Sequence, residues 1–403
     1  MRKHRKPVNR TLGEPPGSVP ALADSGPTDI ECFEFTPGAG GGAPLNYVCL
    51  EQVDARHKSQ ADSNRVLWVN VEGLGDHARL LRLADIFQIH QLALEDVWNQ
   101  QRPKIENYNN HILAVVQLPR PLPVTLSAEE IARGGPTTTL DFEQIAIFMG
   151  KGFVLTVQEG TPGDCFDGIR RRFEDPNSDV RNRGADYLCY LILDAVVDSY
   201  FPLVEQLEAR IDQCEDEIFN LTGTAAVAAI RQIKRDVNDL ERRVRPMVEA
   251  LSNKERLLRA FVEEETRLDL RDCLDHARFL QDNLASQRDL AAGLMDAYMS
   301  TMTHRTNEVM RTLTLITTLF MPLSFIAALY GMNFSPDASP YNMPELRWRY
   351  GYFYSLGLML AVACTFGGYS YRRNWIGFRR SEDIKFLGWK STPPPSTPVP
   401  PIP

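Results

Sequence analysis

The chain has 403 residues, a formal net charge of −8 and a pI near 5.5. An acidic balance argues against nucleic-acid binding, which needs a basic footprint. The seven cysteines are scattered, odd in number and without a C-x-x-C pair. This pattern argues against a disulfide framework or a zinc knuckle and indicates a reducing compartment.

The first 185 residues divide into a tail and a domain. Residues 1–45 are rich in Gly, Pro, Ala and Ser and lack hydrophobic periodicity, which predicts a disordered N-terminal tail. Its basic start is not followed by an apolar core, so the tail is not a secretory signal peptide. Residues 46–185 alternate strand-like and helix-like segments, which predicts a cytoplasmic α/β domain.

The clearest elements of this domain are two strands, a helix and a hairpin. Residues 66–71 and 111–116 read as buried strands, and residues 77–89 read as a helix. Residues 145–157 hold two apolar runs around Gly150-Lys151-Gly152, a pattern typical of a hairpin.

Residues 186–308 have a different character, with few Gly or Pro and dense charge of both signs. They predict a helical region and stalk, with breaks at Thr222-Gly223-Thr224 and Pro246-Met247-Val248. The last helix should begin near Glu264 and continue without a stop for about 70 residues, or about 100 Å. Such a helix does not fit inside a compact monomer, so we expect it to pack against copies of itself or other helices.

Two uncharged stretches follow. About 23 residues from Thr312 to Phe334 and about 22 from Tyr350 to Tyr371 are each long enough to cross a bilayer as a helix. They predict a first transmembrane helix at 309–334 and a second at 350–371, separated by a short loop at 335–349.

The basic residues predict the orientation of these two helices. The tail at 372–403 is basic and then proline-rich, whereas the charges of the loop cancel. By the positive-inside rule both termini are cytoplasmic and the loop is extracytoplasmic. We therefore expect a multi-pass protein of the cell inner (plasma) membrane.

A polar stripe follows one face of the first span. Its members recur at steps of three and four residues: Asn307, Met310, Thr314, Thr317, Met321, Ser324, Ala328 and Gly331. One interpretation is helix–helix packing, since small and hydroxylated residues are common at membrane interfaces. The other is a pore lining for a hydrated cation, with Met310 and Leu313 as an apolar constriction. Periodicity alone does not decide between them.

The first span ends in Gly331-Met332-Asn333, which alone could be a helix C-terminal cap. Its context is more specific, because the order and spacing of several motifs resemble the CorA magnesium/cobalt channel family over roughly residues 50–376. These motifs are Tyr330–Phe334, Met343–Leu346, Leu94–Val97 with Gln101–Lys104, Ala185–Leu188, Arg271-Asp272 and Thr306–Met310.

The resemblance implies an α+β membrane protein: a funnel-shaped homopentamer that conducts Mg²⁺, and also Co²⁺, passively through a pore lined by the first spans. Gly331, Met332 and Asn333 would form the selectivity filter, and Mg²⁺ would be both transported and regulatory. Asp96 of one subunit and Asp272 of the next would share a regulatory Mg²⁺, with Glu95, Asp194 and Asp198 at a neighbouring site. For each acid, the alternative is a solvated helix face.

Three further features concern the outer loop, the first span and the stalk. Glu345 in the outer loop is either an attractor of cations or the partner of Arg347 or Arg349. The segment Ser335–Asn342 looks longer than the usual link of the family, and Ser324 stands where threonine is more typical. Asp296 could face its copies near the membrane end of the stalk.

The competing functions are a zinc-preferring transporter of the same architecture and, more remotely, a membrane-anchored coiled-coil scaffold. No His or Cys lies on the stripe, which disfavours direct zinc ligation in the pore. No H-E-x-x-H motif, nucleophile elbow or P-loop occurs, so neither a hydrolase nor an ATP-driven pump is indicated.

Overall fold

The computed structural model of the chain describes residues 28–38, 53, 54, 57, 65–123, 138–160, 163–175, 178–217, 224–252, 261–332, 341–343, 345 and 348–373. The chain divides into two compact units, Met1–Thr301 and Met302–Pro403.

The first unit is built on a six-stranded sheet in the order β1-β2-β6-β5-β4-β3. The strands are β1 (Asp29–Phe35), β2 (Val66–Glu72), β3 (Lys104–Tyr108), β4 (His111–Pro123), β5 (Thr138–Gly150) and β6 (Phe153–Gln158). The β2–β6 pair is parallel and the other pairs are antiparallel. The predicted strands at 66–71 and 111–116 and the hairpin at 145–157 are therefore confirmed, within a sheet that is largely antiparallel.

Helices cover both faces of this sheet. The helices α1 (His77–Ile86) and α2 (Gln91–Trp98) pack on one face, where Leu83 and Val97 join Leu67 and Val69 of β2 in one apolar core. On the other face Trp68 stacks on Phe33 of β1 and on Phe173 of α3 (Asp167–Glu174), with ring centroids 4.9 and 5.6 Å apart. Alternate residues of β2 thus serve opposite faces, as the two-residue period of a strand requires.

Longer helices complete the chain. They are α4 (Ala185–Asp198), α5 (Phe201–Glu217), α6 (Thr224–Ser252), α7 (Glu264–Tyr330) and α8 (Gly351–Arg372). α7 has 67 residues, so the long helix predicted to begin near Glu264 is confirmed. Its start is fixed by Asp186 of α4, whose Oδ2 accepts a hydrogen bond from the Glu263 backbone N–H at 3.0 Å. A carboxylate at this end also interacts favourably with the helix dipole.

Two predictions of secondary structure are wrong. Residues 29–35, assigned to a disordered tail, form β1 and pair along the whole length of β2. The apolar residues Ile30, Cys32, Phe33 and Phe35 are buried there, which stabilises a strand that the Gly- and Pro-rich surroundings concealed. Pro246 does not break a helix but lies inside α6. The predicted break at 222–224 lies at the start of α6, and residues 218–223 are outside the described part of the chain.

Three helical stretches of the described residues are long and apolar enough to cross a membrane: Ala185–Glu215, and parts of α7 and α8. The apolar window of Ala185–Glu215 is 61% buried inside the first unit, as expected for a core helix. The corresponding windows of α7 and α8 are 0% buried. The difference in burial therefore distinguishes the core segment Ala185–Glu215 from the stretches of α7 and α8 that the sequence predicts to be transmembrane.

His111 is a buried titratable group in the centre of this architecture. It lies at the start of β4, is 0% exposed and stacks on Tyr108 of β3 at 5.2 Å. Its Nδ1 lies 2.7 Å from Asn110 Oδ1, and its Nε2 is buried with no hydrogen-bond partner in the described structure. Burial, and then the neighbouring His90, lower the pKa of His111 from 6.5 to about 4.

We predict that His111 makes the fold sensitive to acid. Above pH 6.5 the imidazole is neutral in both the folded and the unfolded chain. As the pH falls from 6.5 towards 4, the unfolded chain binds a proton that the folded chain excludes, so the free energy of unfolding falls by up to about 3 kcal/mol. Replacing His111 by Phe should remove this part of the pH dependence, measured by chemical unfolding of the full chain in detergent between pH 4 and 7.

The matched control is His304→Ala, which removes an exposed histidine. That variant should keep the wild-type slope of stability against pH. An unchanged slope in the His111→Phe variant would contradict the assignment.

Candidate functional site

A group of potential metal ligands lies between α4 and α7 in the first unit. Asp194 and Asp198 are four residues apart on α4 and share a face of that helix. Together with His276 of α7, they offer ligand atoms that all lie within 4.8 Å of one another. The pair of acids was predicted from sequence as part of one site, and the structure brings it together.

Asp272 belongs to the same cluster. It lies one helical turn before His276, and its Oδ2 is 3.8 Å from His276 Nε2. On the other side of the imidazole, His276 Nδ1 is 4.0 Å from Asp194 Oδ1. The imidazole therefore stands between carboxylates of two helices. His276 was not predicted as a ligand, because helical spacing places it on one face with Asp272 but does not show that this face meets α4.

Small buried residues of α7 allow its charged side chains to lie close to those of α4. Cys273 and Ala277 of α7 are 0% exposed and form its contact face, which leaves the neighbouring positions Asp272 and His276 at the edge of the packed surface. Burial, followed by the carboxylates around it, raises the pKa of the Cys273 thiol. The thiol is thus held protonated and serves as a small apolar group.

The electrostatics of Asp194 identify it as the centre of the cluster. Burial, and then the nearby Asp198 carboxylate, raise the pKa of Asp194 from 3.8 to about 6, while His276 acts in the opposite direction. Its Oδ1 is buried and has no hydrogen-bond partner within the described residues. A carboxylate that is costly to ionise and lacks a donor is a good position for a cation.

The donor set fits a divalent metal ion. Carboxylate oxygens are the ligands that Mg²⁺ prefers, and the imidazole nitrogen suits first-row transition metals such as Co²⁺. The residues that would hold such an ion are Asp194, Asp198 and His276, with Asp272 adjacent.

The predicted acids of α2 have other neighbours in the single chain. Asp96 Oδ2 lies 2.6 Å from Lys104 Nζ, and Glu95 Oε1 accepts a 3.5 Å hydrogen bond from Asn99 Nδ2. Neither residue belongs to the close group of ligand atoms found among the described residues. Burial raises the pKa of Asp96, against the influence of Lys104. A shared site between Asp96 and Asp272 of another subunit stays a prediction.

The end of α2 is held by one side chain. Gln144 of β5 donates from Nε2 to the backbone carbonyls of Asp96 at 2.7 Å and Asn99 at 3.1 Å. Its Oε1 accepts from the Gln101 backbone N–H at 2.7 Å. This buried amide fixes the backbone that carries Asp96 to the sheet.

In the second unit the residues of the predicted stripe are all exposed. The predicted pore-lining positions are Asn307, Met310, Leu313, Thr314, Thr317, Met321 and Ser324. Thr314 and Thr317 donate their hydroxyl hydrogens to the carbonyls of Met310 and Leu313, at 2.7 and 2.9 Å. Because each hydrogen is used within the helix, the outward side of each hydroxyl oxygen is an acceptor.

The predicted filter is described in part. α7 ends at Tyr330, and the Gly331 N–H donates to the Ala327 carbonyl at 3.0 Å. Gly331 has no left-handed φ, and an added Cβ would approach the Ala327 and Ala328 carbonyl oxygens at 3.4 Å. Met332 is 45% exposed. Asn333 and most of the following loop, including Ser335–Pro340, lie outside the described residues.

Glu345 of the outer loop precedes α8. Its backbone oxygen accepts from Trp348 N–H at 3.1 Å, and a Cβ on Gly351 would overlap this carbonyl. Its side-chain Oε2 is buried with no hydrogen-bond partner in the described part of the loop. Arg347 lies outside the described residues, so the predicted alternatives for Glu345 both stay predictions.

Comparisons with known proteins agree with this architecture. The sequence profile of the family described as CorA-like Mg²⁺ transporter protein matches residues 63–369. The cobalt/magnesium transport protein CorA of Thermotoga maritima is 36% identical over 316 residues, which cover 78% of this chain and 85% of that protein. The cobalt/magnesium transport protein CorA of Methanocaldococcus jannaschii is 23% identical over 290 residues, covering 71% of this chain and 83% of that protein.

The fold is also that of a solved structure. The complete structure of the CorA magnesium transporter from Methanocaldococcus jannaschii matches with a TM-score of 0.67 and 20% identity, over 86% of this chain and 98% of that one. The family profile spans the strands β2 to β6, α4, α7 and most of α8. On these grounds the chain belongs to the CorA-like Mg²⁺ transporter family.

Proposed function

We propose that the chain forms a channel for passive, membrane-potential-driven uptake of divalent cations, Mg²⁺ and also Co²⁺, and that intracellular Mg²⁺ closes it. The relatives described as cobalt/magnesium transport proteins support the choice of ions. An interior-negative potential favours entry of a doubly charged cation by about 4.6 kcal/mol per 100 mV, so no other energy source is needed.

The observation that carries the proposal is the polar stripe of α7. Its threonine oxygens are left as acceptors by hydrogen bonds to the preceding turn. The waters around a cation point their hydrogens outward, so they need acceptors on the wall of a pore. Mg²⁺ gives up its waters reluctantly and would therefore travel with them. A helix that faced only lipid would have no use for this stripe.

Exposed apolar side chains of α7 are available for contacts between copies. Leu268, Phe279 and Leu290 are more than half exposed and recur every 11 residues, so they lie along one side of the helix. Exposed acidic residues lie between them on the same side, so the apolar residues are separate contacts and not a continuous patch. The opposite side packs within the chain through Cys273, Ala277 and other buried residues. A homopentamer is the assembly implied by the family resemblance.

Selectivity is proposed to reside in Gly331, Met332 and Asn333 at the end of the first span. A ring of Asn333 amide oxygens can accept hydrogen bonds from the waters of the ion without removing them. Glu345, whose buried Oε2 has no hydrogen-bond partner among the described residues, is proposed to attract cations to the outer end.

Orientation and location complete the proposal. α8 ends at Arg372, with Arg373 next to it, and a basic tail follows. By the positive-inside rule the two spans, α7 and α8, place both termini in the cytoplasm of a cell inner (plasma) membrane.

Closure is proposed to depend on the acidic residues of the first unit. Asp96 of one subunit and Asp272 of the next would share one divalent ion. Glu95, Asp194 and Asp198 would contribute to a neighbouring site, where His276 is a further potential ligand. Carboxylates that face each other repel unless a cation lies between them, so internal Mg²⁺ would hold subunits together in the closed state.

A zinc-preferring transporter is the alternative within this architecture. Its one support is His276, since an imidazole nitrogen is a better ligand for zinc than for Mg²⁺. That residue belongs to the cluster of the first unit and not to the stripe. The stripe itself offers no His or Cys. A membrane-anchored scaffold that transports no ion would not explain the polar stripe of α7.

The direct test is ion flux into vesicles that contain the full-length protein. Asn333→Ala should reduce Mg²⁺ entry at least about tenfold, because it removes the amide oxygens proposed to bind the hydrated ion, and size-exclusion chromatography should show unchanged assembly. Asn342→Ala, in the same loop but outside the motif, is the matched control. Wild-type flux through Asn333→Ala would remove this residue from the mechanism.

The stripe can be tested with isosteric changes. Thr314→Val combined with Thr317→Val removes two acceptors per subunit and should lower Mg²⁺ flux about tenfold or more, at about 1 kcal/mol for each lost hydrogen bond. Thr312→Val removes a hydroxyl with the same local geometry, bonded to the Glu308 carbonyl at 2.9 Å, from a different face of α7. Equal losses in the two variants would contradict a pore along the stripe.

Regulation can be tested through Asp272. Asp272→Ala should raise about tenfold the internal Mg²⁺ concentration that halves the flux, because one carboxylate is lost from the proposed ligands. Asp275→Ala is the control, since Asp275 lies on the same helix and pairs with Arg278 at 3.3 Å. An inhibition curve like that of the wild type in Asp272→Ala would count against this site.

A further inference from the structure

The edge strand β3 presents a row of charged and polar side chains beside Asp96. Lys104, Glu106 and Tyr108 alternate along the strand and so lie on one face of it, while Ile105 between them is buried on the other. Lys104 Nζ lies 2.6 Å from Asp96 Oδ2 and 3.2 Å from Glu106 Oε2. Tyr108 Oη donates to the same Glu106 Oε2 at 3.0 Å.

This arrangement gives Lys104 two carboxylate partners of different character. The Asp96 side chain is 12% exposed, and the Glu106 side chain is 43% exposed. Lys104 itself is 28% exposed, so its ammonium group lies between a nearly enclosed acid and a solvated one. In the single chain, the lysine supplies the positive charge that the enclosed carboxylate requires.

A divalent cation and the Lys104 ammonium compete for the same carboxylate. A metal ion takes an Asp96 carboxylate oxygen as ligand, whereas the ammonium at 2.6 Å already uses Oδ2 as an acceptor. We propose that Lys104 is a tethered counter-cation that competes with divalent cations for Asp96 and thereby sets the Mg²⁺ concentration at which the regulatory site fills. This inference rests on the proposed function, in which Asp96 is a regulatory ligand.

Glu106 can accept the Lys104 ammonium when a metal ion displaces it from Asp96. It already contacts Lys104, and its orientation is fixed by the hydrogen bond from Tyr108. Exchange of Lys104 for a metal ion therefore requires a short movement of one side chain along β3, and no charge is left without a partner. The backbone on both sides stays in place, because Gln144 holds the end of α2 and β3 pairs with β4.

The test measures metal binding by the full-length protein in detergent, apart from ion flux. The thermal unfolding temperature is followed by tryptophan fluorescence while MgCl₂ is titrated at constant ionic strength with NaCl, since a ligand of the folded state raises that temperature. The midpoint of the stabilisation reports the affinity for Mg²⁺.

Removal of the competitor should strengthen binding. Lys104→Met should lower the midpoint about fivefold to tenfold, whereas Lys104→Arg, which keeps the charge, should stay within about twofold of the wild type. Lys151→Met removes an exposed lysine from the β5–β6 turn and is the control for net charge. It should leave the midpoint unchanged.

Glu106→Gln should act in the opposite direction. Without its second partner, Lys104 stays on Asp96, so the midpoint should rise about twofold to threefold. If Glu106 acts through the lysine, the same substitution should have a much smaller effect in the Lys104→Met background.

Asp96→Asn separates failure of this inference from failure of the proposed function. If Asp96→Asn raises the midpoint but Lys104→Met leaves it at the wild-type value, Asp96 binds the metal ion and the competition by Lys104 is refuted. If Asp96→Asn itself has the wild-type midpoint, the regulatory role of Asp96 and the inference built on it both fail. A Lys104→Met effect that persists in the Asp96→Asn background would also overturn the inference.

Discussion

A partly buried carboxylate needs a positive charge close to it, and this requirement organises the first unit. Arg170 binds Asp164 at 2.7 Å, Arg183 binds Asp269 at 2.7 Å, and Arg210 binds Asp236 at 2.6 Å. Asp194 differs from these acids. Its nearest cationic group is an imidazole 4.0 Å away, which carries a charge only when it is protonated. Among the described residues, Asp194 forms no ion pair with an arginine or lysine, which makes it well suited to take a metal ion from solution.

The same requirement links the two proposed regulatory positions. At Asp96 the chain supplies its own cation, Lys104, and at Asp194 it supplies a weaker one, His276. The two positions should therefore respond differently to the same Mg²⁺ concentration, because one binding event must displace an ammonium group and the other need not. α7 carries Asp272 and His276 and continues through the residues of the stripe. One continuous hydrogen-bonded element thus belongs to both the proposed sensor and the proposed pore.

Sequence patterns located the long helix and the acids of α4 well, because periodicity and helical spacing are local properties. Residues 29–35 were missed since their burial depends on Val66–Glu72, a partner strand about 40 residues away. Pro246 was predicted to interrupt a helix, as proline does by its intrinsic propensity. It lies inside α6 instead, because tertiary packing of that helix overrides the propensity of one residue. His276 could not be chosen without knowing that α4 lies beside α7. Lys104 was noted as part of a motif, but its contact with Asp96 depends on how β3 lies against α2.

The threonines of the stripe have a consequence for the sign of the permeant ion. Their hydroxyl hydrogens are bonded to the carbonyls of Met310 and Leu313, so the oxygens have lone pairs and no free hydrogen to offer. An anion such as chloride needs donors on the wall, or waters that turn their oxygens towards the wall, and this surface is unfavourable for both. In a pore lined by this stripe, discrimination against anions would therefore follow from the backbone bonding of the helix, before any charged residue at either end is considered.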